Sequence, residues 1–121
     1  MTDADPSKPM SGHPNRKVRH IAGRSIVFDG KGFLRHPEDW TEEVARCLAE
    51  ESGLPELEEV HWQVIHFMRN YYFHHGRAPM NRHLKAGVNM TLMALEALFP
   101  GGIQGGARRV AGLPNPKSCA G

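Results

Sequence analysis

Pro55-Glu56-Leu57-Glu58-Glu59-Val60-His61-Trp62-Gln63-Val64-Ile65-His66-Phe67-Met68-Arg69-Asn70-Tyr71-Tyr72-Phe73-His74-His75-Gly76 reads as one long helix. Proline is tolerated in a first turn, and the glutamates at 56, 58 and 59 suit the positive end of a helix dipole. Val60, Val64, Phe67, Met68, Tyr71 and Tyr72 recur at helical spacing and predict an apolar stripe that faces a core. Gly76 is a natural stop. Amphipathic on this scale, the segment needs other elements to cover it, and its neighbours supply them.

Upstream, Thr41 or Asp39 can cap a helix that runs to about Ser52, with Val44, Cys47 and Leu48 on one face and Gly53 at its end. Downstream, Pro79 opens a short helix through about Ala86, which Gly87 interrupts. Asn89 to Phe99 predicts a further helix rich in Met and Leu, stopped by Pro100. Before all of these, Ser25 to Arg35 reads as a β-hairpin with its turn at Asp29-Gly30. The expected fold is mainly α: a small bundle of four to five helices with a helix-turn-helix-like corner, an N-terminal β-hairpin and a flexible C-terminal arm.

Three segments are expected. Residues 1–24, rich in Pro, Ser, Gly, Lys and Arg, predict a disordered basic extension. Residues 25–100 form the globular domain. Residues 101–121, with Gly101, Gly102, Gly105 and Gly106, form the arm. Lys and Arg against Asp and Glu give +3, −4 and +3 over these segments, so two basic tails flank an acidic body. No apolar run is long enough for a transmembrane helix, and residues 1–24 lack the apolar stretch of a secretory signal, so the expected location is cytoplasmic.

Only two cysteines occur, Cys47 and Cys119, too few for a disulfide framework and without the Cys-x-x-Cys spacing of a redox or zinc site. Cys47 falls on an apolar helix face and is expected to be a buried, inert thiol. The eight histidines show no metal-ligand spacing, and no phosphate-binding loop is present, so no metal and no cofactor are expected. Asn81, Arg82, His83 and Lys85 on the short helix could contact DNA in a helix-turn-helix regulator, although the body is net negative.

Cys119 is different. It follows Gly112-Leu113-Pro114-Asn115-Pro116 on the basic arm, 19 residues beyond Pro100. Fully extended, that length spans at most about 65 Å, ample for delivering a thiol into another protein. A thiolate there could attack a donor persulfide, hold the sulfur and surrender it.

Ala111-Gly112-Leu113-Pro114-Asn115-Pro116-Lys117-Ser118-Cys119 resembles the C-terminal signature of the DsrC/TusE family of sulfur-relay proteins. Leu98-Phe99-Pro100-Gly101-Gly102, Pro79 with Arg82, His61-Trp62, Arg69-Asn70-Tyr71-Tyr72, Pro37-Glu38-Asp39-Trp40 and Gly32-Phe33-Leu34 extend the likeness back to about Ile26. The resemblance implies a sulfurtransferase-class carrier that takes persulfide sulfur on Cys119. Arg108, Arg109 and Lys117 would guide the arm to its partners, and Arg82 would lie on the docking face.

DsrC-like members have a second arm cysteine eleven residues before the terminal one; here that position is Arg108. The resemblance therefore favours the TusE-like, single-cysteine subgroup, with a TusBCD-like donor, a tRNA thiouridylase-like acceptor and a role in wobble-uridine 2-thiolation. A DsrC-like partnership with dissimilatory sulfite reductase or other sulfur-oxidation machinery is the alternative. Two features depart from the family pattern: Ala120-Gly121 follow the cysteine, and the stretch from Arg82 to Leu98 is short and lacks aromatic residues.

Overall fold

The computed structural model describes residues 17–114. Two antiparallel strands, β1 (Lys17–Ile21) and β2 (Arg24–Phe28), precede five helices. These are α1 (Glu42–Glu51), α2 (Glu59–His75), α3 (Asn81–Val88), α4 (Leu92–Leu98) and the single turn α5 (Arg108–Val110). A 3-10 turn at Pro37–Asp39 leads into α1, and a π-helical turn at Ile103–Ala107 leads into α5. The expected class, a helical bundle with an N-terminal hairpin, is the one observed.

The hairpin lies further upstream than its expected place. Ile21 pairs with Arg24, so the turn is the two residues Ala22 and Gly23, both at positive φ (53° and 77°). That is the backbone of a tight hairpin turn whose twist matches the strands. Lys17, Val18 and His20 point to solvent and only Ile21 of β1 is buried, which is why this strand has the composition of a disordered tail. The chain does reverse at Asp29, whose carboxylate accepts from the backbone N–H groups of Lys31 and Phe33. The return strand shrinks to one bridge, Phe28 to Leu34, because the chain turns away at Pro37.

Thr41 caps α1, accepting from the Val44 N–H at 3.1 Å, and the α1 core face is Val44, Ala45, Leu48 and Ala49. On α2 the buried line is His61, Val64, Ile65 and Met68. The face is therefore rotated from the expected stripe, and Val60, Phe67, Tyr71 and Tyr72 are half-buried at its margin. Among the described residues His61 is the buried polar one. Its Nδ1 accepts from the Glu58 N–H and its Nε2–H donates to the Leu98 carbonyl, both at 3.0 Å, so the neutral ring ties α2 to the end of α4.

Gly87 does not interrupt α3. A Cβ at this position would lie 2.2 Å from the Phe67 ring, so glycine lets α3 close onto α2. Asn89, at φ 57°, ends α3 in the left-handed conformation, and α4 starts after Thr91, which caps it.

The largest correction concerns residues 101–114. Expected as the start of a flexible arm, they are part of the core. Ile103, Ala107, Val110 and Leu113 are buried at helical spacing, and α5 packs against α1 and α2. The glycines serve packing here. At Gly106 a Cβ would come within 2.3 Å of the Pro100 carbonyl oxygen.

Candidate functional site

The candidate site is the C-terminal end of the described chain, on the way to Cys119. Cys119 and Lys117 lie outside the described residues. The described chain ends at Pro114, and the five residues from there to Cys119 span at most about 18 Å.

α5 closes in a Schellman motif. Gly112 sits at φ 72°; its N–H donates to the Arg109 carbonyl at 3.1 Å and the Leu113 N–H donates to the Arg108 carbonyl at 3.2 Å. Leu113 then plugs the core with no exposed surface. The sharp turn and the plug together fix the course of the chain up to Pro114.

Two side chains from elsewhere lock this turn. Trp40, just after the 3-10 turn, donates its indole N–H to the Val110 carbonyl at 2.9 Å. Its ring lies so close that a Cβ on Gly112 would stand 2.4 Å from Cδ1. Arg69 of α2 donates one Nη to the Ala111 carbonyl at 2.9 Å and the other to the Pro37 carbonyl at 3.0 Å. Its guanidinium lies 4.1 Å from the Trp40 ring centre and 5.1 Å from that of Phe73. Burial pushes the Arg69 pKa down from the usual guanidinium value to about 10, which leaves it charged at neutral pH. Three consecutive residues, 110 to 112, are thus held by one cation and one indole. Neither Arg69 nor Trp40 carries a role in the sequence reading. The available signal was an arginine within the aromatic face of α2, since a cation there needs acceptors to be buried.

The expected partner-binding arginines divide. Arg108 is half-buried, donates its Nε–H to the Pro114 carbonyl at 3.0 Å, and lines a cleft of about 330 Å³ with Met68, Pro79, Met80 and Ile103. It stands at the root of the segment leading to Cys119. Arg109 points the other way. It donates to the Lys31 carbonyl at 2.8 Å, with its guanidinium 4.8 Å from the Phe33 ring, and ties α5 to the loop after β2. Arg82 is exposed on α3, in a groove with Lys85 and Met90.

Cys47 is half-buried on α1, where deep burial was expected, and it lines a second cleft with Arg46, Glu50 and Leu57. Among the described residues no group of three or more His, Cys, Asp or Glu side chains is placed to hold a metal ion, and no helix is long and apolar enough to cross a membrane.

Comparison with known proteins places this geometry. The family model described as "DsrC like protein" matches residues 20–120. The dissimilatory-type sulfite reductase gamma subunit of Nitratidesulfovibrio vulgaris is 36% identical over 97 residues, which cover 80% of this chain and 92% of that protein. Sulfurtransferase TusE of Sodalis glossinidius is 36% identical over 104 residues, covering 80% and 95%. The crystal structure of the oxidised gamma subunit of dissimilatory sulfite reductase (DsrC) from Archaeoglobus fulgidus superposes with a TM-score of 0.72 at 35% identity, covering 83% of this chain and 96% of that one. The chain belongs to the DsrC-like family.

Proposed function

We propose that this protein is a sulfur carrier that accepts persulfide sulfur on Cys119 and passes it to a partner enzyme in the cytoplasm. The observation that supports this reading is the lock at Val110–Gly112: the body holds its chain rigidly to Pro114, five residues short of the thiol. A carrier needs both parts. A rigid base presents the tether in a defined direction, and a short tether keeps the thiol within reach of a docked partner's cleft.

The chemistry is thiol exchange. The Cys119 thiolate attacks the outer sulfur of a donor persulfide, the donor's S–S bond breaks, and the donor leaves as its own thiolate. Cys119 then holds the sulfur as a persulfide, with no external oxidant or reductant needed. Attack on that outer sulfur by an acceptor thiolate returns Cys119 to a thiol.

The named relatives divide between a sulfurtransferase and a sulfite reductase subunit at equal identity, so overall similarity does not choose between them. Arg108 does. With arginine at the position of the second arm cysteine, sulfur is carried on one residue, and transfer toward tRNA wobble-uridine 2-thiolation is the reading we favour. Arg108 and Lys117 guide the terminal segment, and Arg82 lies on the docking face. The test is to load the protein with labelled sulfane sulfur and add a tRNA thiouridylase with tRNA and ATP. Label in 2-thiouridine supports this pathway. No label in tRNA, together with stable association with a sirohaem sulfite reductase, reverses the choice.

A further inference from the structure

Between Glu59 and Glu96 the sequence has no acidic residue, whereas Arg69, Arg77, Arg82 and Lys85 all fall there. The exposed glutamates Glu42, Glu43, Glu50 and Glu56 lie on α1 and the approach to α2, whereas α3 carries no carboxylate and α4 carries one, Glu96.

On that face a shallow groove of about 490 Å³ is lined by Arg82, Lys85, Ala86, Asn89, Met90 and Thr91. Neither Arg82 nor Lys85 has a carboxylate partner among the described residues. Met93, in the first turn of α4, is 82% exposed, and Met80, at the start of α3, is 53% exposed. Exposed methionines suit a surface that adapts to an apolar partner. Helix α3 also joins this groove to the cleft at its other end, where Met80 and Asn81 lie with Arg108, the residue that holds the Pro114 carbonyl. Eight residues of helix span about 12 Å, so groove and exit point are neighbours.

We infer that the α3–α4 groove docks an acidic protein surface that presents an apolar side chain between carboxylates, close to Pro114, where the described chain ends. Arg82 and Lys85 meet the carboxylates, while Met90 and Met93 receive the apolar anchor. Charge complementarity selects this occupant. Nucleic acid fits less well: duplex binders with strong salt dependence use about six to ten phosphate contacts, and this groove offers two cations beside apolar surface. The inference rests on the carrier reading, since it names the chemistry of the partner that reading requires.

The test is an NMR titration of the full ¹⁵N-labelled chain with a helical peptide whose leucine stripe is flanked by glutamates. The same peptide with lysines, and a single-stranded RNA, serve as comparisons. Saturable shifts confined to Arg82–Met93, weakened by salt and on the order of tenfold or more in Arg82→Glu/Lys85→Glu, are expected. Met93→Ala should weaken binding without altering its salt dependence. Absence of binding, shifts centred on α1, or tighter binding to RNA would overturn the inference. Loading of the wild-type thiol with polysulfide, read by mass, reports on the carrier reading separately, so failure of one is distinguishable from failure of the other.

Discussion

Arg69 and Ala111 lie 42 residues apart and are joined by a 2.9 Å hydrogen bond from guanidinium to carbonyl. The other Nη of Arg69 reaches Pro37, so one side chain ties the approach to α1 and the end of α5 to the middle of α2. Arg69→Met keeps the apolar stem and strands both carbonyls. It should cost about 2–3 kcal/mol, read by urea denaturation. Arg69→Lys should recover only part, because a point ammonium does not match two acceptors in a planar fork. The lock should hold unchanged between about pH 6 and 9: with a pKa near 10 in the fold and a higher one in the unfolded chain, Arg69 is protonated in both. Only above about pH 10 does the unfolded chain bind more protons, and there the Arg69 contribution to stability rises with pH.

The glycines near the C-terminal segment are not equivalent. Gly112→Ala places a Cβ 2.4 Å from Trp40 at φ 72° and should destabilise by about 2 kcal/mol or more. Gly105→Ala meets nothing within 4 Å and has no positive φ, so it should be neutral or stabilising by about 0.4–1 kcal/mol. Thermal unfolding of the pair separates a packed turn from a flexible glycine linker, since a linker would tolerate both.

Leu113 is fully buried, so Leu113→Ala should lose about 2–5 kcal/mol. A free arm beginning at Gly101 would show no loss. Denaturant midpoints for the wild type and this variant decide the matter.

His61→Ala leaves the Leu98 carbonyl and the Glu58 N–H without their partner and removes the edge-on contact with Phe99, 5.2 Å between ring centres. The expected cost is about 1–3 kcal/mol, and amide exchange should rise first at the end of α4.

Much of this fold is legible in the sequence because helices announce themselves locally. Thr41, Gly53, Gly76 and the spacing of Val64 and Met68 act within a turn or two of where they stand. The hairpin was harder. β1 buries only Ile21, so its composition is that of a tail, and the decisive Ala22-Gly23 turn has less turn propensity than Asp29-Gly30. The root of the arm was harder still. Gly105 and Gly106 suggest flexibility, yet Gly106 is small because Pro100 and Phe99 crowd it, a long-range fact. The apolar residues Ile103, Ala107 and Val110, at i, i+4 and i+7, were the signal that those glycines masked. At the site, Cys119 and Arg108 stood out by residue type and position. Arg69 and Trp40 did not, because their function is to meet carbonyls far away in the chain.

Sulfur transfer by this protein, as we propose it, depends on Cys119. The most direct measurement is intact and peptide mass spectrometry of the full chain after exposure to a persulfide donor. Wild type and Cys47→Ser should each gain one sulfur atom on the peptide containing Cys119, and Cys119→Ser should gain none there. A wild type that takes up no sulfur, or sulfur found on Cys47 with Cys119 unmodified, would contradict it.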